Sequence, residues 1–113
     1  MKTICVPKDS IAQTHLDFDE SQPGELIELS MEDETVNQLL MLGFFDSINK
    51  LTHSNIDNFE DESITAKHQL MKVLDSNLFD KKSYDQELHQ VIDDIKDLFN
   101  MAIASSTGVY FYF

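Results

Sequence analysis

The stretch from Ser83 to Ser105 constrains the fold more than any other. Its apolar side chains fall at Tyr84, Leu88, Val91, Ile92, Ile95, Leu98, Phe99 and Ala102. At ~100° per residue these positions share an arc of about 120°, the stripe of a helix that packs one face on a core. Ser83 followed by Gln86 has the spacing of a capping box, and Asp85 and Glu87 suit the positive end of a helix. The pattern therefore predicts a helix over 83–105. The opposite side carries Asp85, His89, Asp93 and Asp97 in an i, i+4 row. One helix is thus expected to supply both core and an acidic surface.

The rest of the chain is expected to cover that apolar stripe. Thr3–Val6 is a short β-favouring run stopped by Pro7. Asp9-Ser10 suits a turn or the start of a short helix. From Thr14 to Asp19 polar and apolar residues alternate, the period of a half-buried strand. Turn chemistry at Gln22-Pro23-Gly24 and a second β-like run, Glu25–Leu29, complete a predicted hairpin over 14–29. Ser30 reads as the N-cap of a helix over 31–42, with Glu32, Asp33 and Glu34 in its first turn. Gly43 breaks that helix, and the spacing of Phe44, Phe45, Ile48 and Leu51 predicts another over 44–52. Residues 52–62 are polar and acidic and read as a surface loop. Ser63 is placed to cap a helix reaching Phe79, and Gly108 to stop the long one. Val109–Phe113 is wholly apolar or aromatic and reads as a buried strand; Thr3–Val6 is an attractive neighbour, but no residue pattern specifies the partner strand or the register. No repeat or linker divides the 113 residues, so a single domain over 1–113 is expected. The fold class is α+β, three or four helices packed on a small, mostly antiparallel sheet.

Charge bounds the function. Twenty-one acidic residues stand against eight basic ones, all lysine, for a net charge of −13. Such a field repels nucleic acid and anionic lipid, so neither is an expected partner. It attracts and steers a basic protein. No run approaches the ~18–20 apolar residues of a membrane span. The apolar run near Met1 is too short for a secretory signal, and one cysteine makes no internal disulfide. A cytosolic location is expected. Cys5, with no adjacent base, reads as a buried structural thiol.

No catalytic, cofactor or metal site is expected. With no arginine and three glycines, the chain has neither a bidentate phosphate clamp nor a phosphate-cradling loop. His89, Asp93 and Asp97 share a helical face, but no H-E-x-x-H pattern accompanies them. Asp17, Asp19, Ser21, Glu25 and Glu28 fall at the first, third, fifth, ninth and twelfth positions of a calcium loop, yet Gln22 occupies the place of its turn glycine.

What remains is a set of acidic clusters: Glu32-Asp33-Glu34, then Asp57 with Glu60-Asp61-Glu62, then Asp85, Asp93, Asp94 and Asp97. The expected partner-binding residues are Asp85, His89, Asp93 and Asp97, with Glu60, Asp61 and Glu62. In small size, strong acidity and lack of a catalytic motif, the chain resembles the immunity proteins of bacterial contact-dependent growth inhibition and nuclease-toxin systems. The resemblance is one of overall profile and carries no residue roles. It implies a non-enzymatic inhibitor that binds a basic toxin, a nuclease above all. Two alternatives stand beside it. One is a nucleic-acid mimic that inhibits a restriction or CRISPR enzyme. The other is a small metal-dependent enzyme using His89 and the aspartates.

Overall fold

A computed structural model describes all 113 residues. The chain forms β1 (Lys2–Pro7), α1 (Ser10–Asp17), β2 (Leu26–Met31), α2 (Asp33–Met41), α3 (Phe44–Thr52), β3 (Asp61–Ile64), α4 (Lys67–Asp75), α5 (His89–Ser105) and β4 (Val109–Tyr112). Two short 3-10 turns, Lys81–Ser83 and Gln86–Leu88, precede α5. The strands make one antiparallel sheet in the order β2-β1-β4-β3. This is an α+β fold. No helix is long and apolar enough to cross a membrane.

The sheet is organised around its two terminal strands. Thr3 pairs with Tyr112, Ile4 with Phe111 and Cys5 with Tyr110. Ile4, Val6, Val109 and Phe111 are fully buried, because α5 lies across this face. The expected stripe of α5 is met there by Ile92, Ile95, Leu98, Phe99 and Ala102. Phe45 sets its ring against Phe111 and Phe113, with centroids 6.3 and 5.0 Å away in edge-to-face geometry. Pro7, expected to stop β1, belongs to it. Proline lacks an N–H, but its carbonyl still accepts from the Thr107 hydroxyl at 2.8 Å.

Several local expectations yield to this arrangement. The hairpin over 14–29 does not form. Asp9 caps α1 by accepting from the Ala12 N–H at 2.8 Å, and the alternating residues 14–17 are helical. β2 instead pairs with β1. Ser30 is a strand residue rather than an N-cap, and Glu32 precedes α2 without a side-chain cap. Within the expected loop at 52–62 lies the start of β3, and Ser63 is part of that strand. The helix expected over 63–79 shortens to α4. The helix expected over 83–105 begins at His89, so the Ser83/Gln86 capping box is not made. Ser106, in the left-handed region at φ 56°, ends α5. Gly108 serves close packing instead: a Cβ there would come within 2.7 Å of the Ile64 carbonyl oxygen. Gly43 takes φ 78° at the α2–α3 corner, which other residues adopt only with strain.

The loop leading to β2 is fixed by Glu25, which is buried. Its carboxylate accepts from the Gln22 N–H at 2.7 Å and from His15 Nδ1 at 2.9 Å. Chiefly the backbone donor, then His15, holds this carboxyl below the ordinary glutamate value of 4.5. A lowered folded value means stability that is present above 4.5 and is lost as pH falls through the folded value. Glu25→Gln is therefore expected to lower the thermal midpoint at neutral pH. The gap from wild type should close as pH drops below 4.5. A gap unchanged across an acid titration followed by circular dichroism would remove Glu25 from the account.

Candidate functional site

Charge is left unbalanced across this surface. Only Lys81–Asp93, at 3.2 Å, and His15–Glu25, at 2.9 Å, bring acidic and basic side chains together. The largest cavity is an open cleft of about 500 Å³ between β2, α2 and the start of α5. Leu29 and Met31 of β2, with Leu88 and Val91, form its apolar lining. Glu32, Glu34, Glu87 and Asp94 are its carboxylates, and no lysine or histidine lines it. Asp94 accepts from the Gln90 side chain at 2.8 Å, which fixes its direction. A shallower apolar patch continues past Gln38 and Glu87 to Met41 and Leu42, both exposed, and ends at Asp85.

Local sequence explains each placement. Glu32 and Glu34 sit at the start of α2 because acids suit the positive end of a helix. Val91 and Asp94 are three residues apart on α5, so both reach the same flank. Glu87 lies in the 3-10 turn just before α5. Four carboxylates around an apolar floor suit cationic side chains with apolar stems, as lysine and arginine have.

Of the expected row, His89, Asp93 and Asp97 lie on α5 at i, i+4 spacing, and Asp85 lies outside the helix. Asp85 precedes a 3-10 turn in extended backbone, at φ −61° and ψ 149°. His89, half-buried, opens α5, and its Nε2 lies 3.0 Å from the Tyr84 carbonyl oxygen. Asp93 is engaged by Lys81, and Asp97 is exposed. Nowhere do three His, Cys, Asp or Glu side chains converge to hold a metal ion. Glu60 and Glu62 are tied to the preceding loop: Glu60 accepts from the Asn55 side chain at 3.0 Å and Glu62 from the Asn55 N–H at 2.8 Å.

Asp61 belongs to a second groove, of about 280 Å³, on the other face of the sheet. Its floor is Tyr110 and Tyr112, with Leu16 and Asp17 along one side. Tyr110 donates to Asp17 at 3.1 Å and accepts from the Gln13 amide at 3.2 Å. Burial first, then nearby Cys5, Tyr110 and carboxylates, pushes the Tyr112 hydroxyl up to about 12. Burial likewise pushes the Cys5 thiol up to about 11, so this buried cysteine stays a neutral thiol.

The sequence contained every acid of the main cleft but not their grouping. Glu32, Glu34 and Glu87 read locally as helix-end charges, and Asp94 as one of a dispersed set. Their convergence depends on β2 lying beside α2 and α5, which no local spacing encodes. Comparison with protein families, curated proteins and solved structures returns no match for this chain.

Proposed function

We propose that this chain is a non-enzymatic, cytoplasmic inhibitor that neutralises a basic protein toxin, of nuclease type, by presenting the cleft between β2, α2 and α5 to the toxin's cationic surface. The observation that carries the reading is the cleft lining: Glu32, Glu34, Glu87 and Asp94 around apolar side chains, with no cation among them. A nuclease surface that binds phosphates is rich in lysine and arginine, and this lining matches it in charge. The net charge of −13 adds long-range attraction for the same partner.

The test is protection in cells. Production of the protein encoded beside this chain is expected to arrest growth, and co-production of this chain to restore it. Glu87→Lys combined with Asp94→Lys should remove the protection while leaving the inhibitor folded. Growth arrest that persists in the presence of the wild-type chain would sink the proposal.

A further inference from the structure

Beside the cleft runs an open strand edge. β2 is the outermost strand on its side of the sheet. Lys8 N–H donates to the Glu25 carbonyl at 2.9 Å, which extends the β1–β2 register, in which Val6 faces Ile27 and Ile4 faces Leu29. Antiparallel pairing alternates, so residues 25, 27, 29 and 31 direct their backbone groups to β1. The N–H and C=O groups of Leu26, Glu28 and Ser30 then point outward. None of these groups has a hydrogen-bond partner outside the strand ladder. Glu28 and Ser30 are exposed. The opposite edge, β3, is shorter, 4 residues against 6, and a short edge blunts strand addition. β2 contains no proline, and its register with β1 runs without a bulge.

The side chains flanking this edge identify what it takes. Leu29 and Met31 project toward the cleft, where Glu34, Glu87 and Asp94 wait. Glu28 lies on the other face, near Cys5. A strand laid along β2 sends alternate side chains to these two faces. Both faces are acidic, so a strand bearing lysine or arginine fits. A second copy of this chain does not, because antiparallel pairing about Glu28 sets it against its own equivalent, and each copy carries a charge of −13.

We propose that the partner is captured by β-strand addition: a basic, extended segment pairs with the outward backbone groups of Leu26, Glu28 and Ser30 and lowers its cationic side chains into the cleft. This rests on the reading of the cleft as a site for a basic protein.

The full-length chain, labelled for amide resonance, is titrated with three probes. The first is a short peptide alternating lysine and valine. The second is the same peptide methylated at every backbone nitrogen. The third is a helical lysine–alanine peptide of equal charge. The expected result is that the first peptide slows hydrogen exchange at Leu26, Glu28 and Ser30 by about tenfold or more, and that backbone methylation weakens binding roughly tenfold. Strand addition is overturned if the peptides shift Glu87 and Asp94 while those amides keep exchanging fast and methylation changes nothing. In that case the acidic cleft still stands as a site. It is also overturned if the amides are already slow without peptide and slow further with protein concentration, which would mean pairing between copies. If no probe shifts Glu87 or Asp94, the cleft reading itself fails.

Discussion

Removal of Val109–Phe113 is expected to unfold the chain. β4 is an interior strand, bonded to β1 on one side and β3 on the other. Without it β3 loses its only partner and β1 becomes an edge. Val109, Tyr110, Phe111 and Phe113 all lose their burial. Burying a large apolar side chain stabilises by ~1.5–3 kcal/mol, so four approach the ~5–15 kcal/mol that holds a typical domain together. Phe113 also closes the neighbouring loop. Its backbone oxygen accepts from the Phe59 N–H at 2.9 Å and from Lys2 Nζ at 2.6 Å, and that ammonium lies 4.3 Å from the centre of the Phe59 ring. The truncated chain should aggregate or lose its near-ultraviolet dichroism. Phe111→Ala is the graded version: a buried Phe→Ala costs ~3–5 kcal/mol, which should lower the melting midpoint by roughly 15 °C. A soluble truncated chain with the same melting midpoint would show that the sheet does not depend on β4.

The contrast between β4 and β3 explains what was legible in the sequence. Val109–Phe113 is apolar at every position, so a strand with both faces covered suits it, but its partner and register were not legible and come from the fold, where it pairs with β1 and β3. α3 was equally legible, because the spacing of Phe44, Phe45, Ile48 and Leu51 agrees with its bounds. β3 reads Asp-Glu-Ser-Ile and has no β preference of its own. It is a strand because the outer edge of β4 needs hydrogen-bond partners, a tertiary demand that acts on whatever segment passes there. α1 misled in the opposite direction. It buries only Ala12, so its apolar periodicity is weak, and alternation at Thr14–Phe18 imitated a strand. The start of α5 was misplaced because Ser83 and Gln86 have capping-box spacing, whereas Tyr84 is extended, at φ −130° and ψ 154°, and interrupts the helix there while its hydroxyl donates to the Leu78 carbonyl at 2.6 Å. The later start removes one residue from the acidic row, while His89, Asp93 and Asp97 keep their spacing on α5. Asp85 lies before the helix that would have aligned it with Asp93 and Asp97.

Charge reversal at two flanks of α5 separates local recognition from diffuse attraction. Glu87→Lys with Asp94→Lys alters the cleft, whereas Asp93→Lys with Asp97→Lys alters the neighbouring flank expected from the sequence. Both pairs change net charge equally, from −13 to −9. Neither touches the core, since Glu87 and Asp97 are exposed and Asp93 and Asp94 half-buried. Each should shift stability by no more than ~0.5–1 kcal/mol, the Asp93 change including loss of the exposed Lys81 pair. If the partner's cations enter the cleft, reversal there sets like charges together at several kcal/mol, so affinity should fall about a hundredfold or more, mostly through faster dissociation. Reversal at Asp93 and Asp97 should slow association modestly and leave dissociation alone. Raising salt from 0.1 to 1 M shortens the screening length from ~10 to ~3 Å, so wild-type association should slow while close contacts in the cleft persist. Binding kinetics by surface plasmon resonance read both rates. Equal weakening by the two pairs would reduce the cleft to one part of a general acidic field. A larger loss at Asp93 and Asp97 would move the interface to the flank read from the sequence.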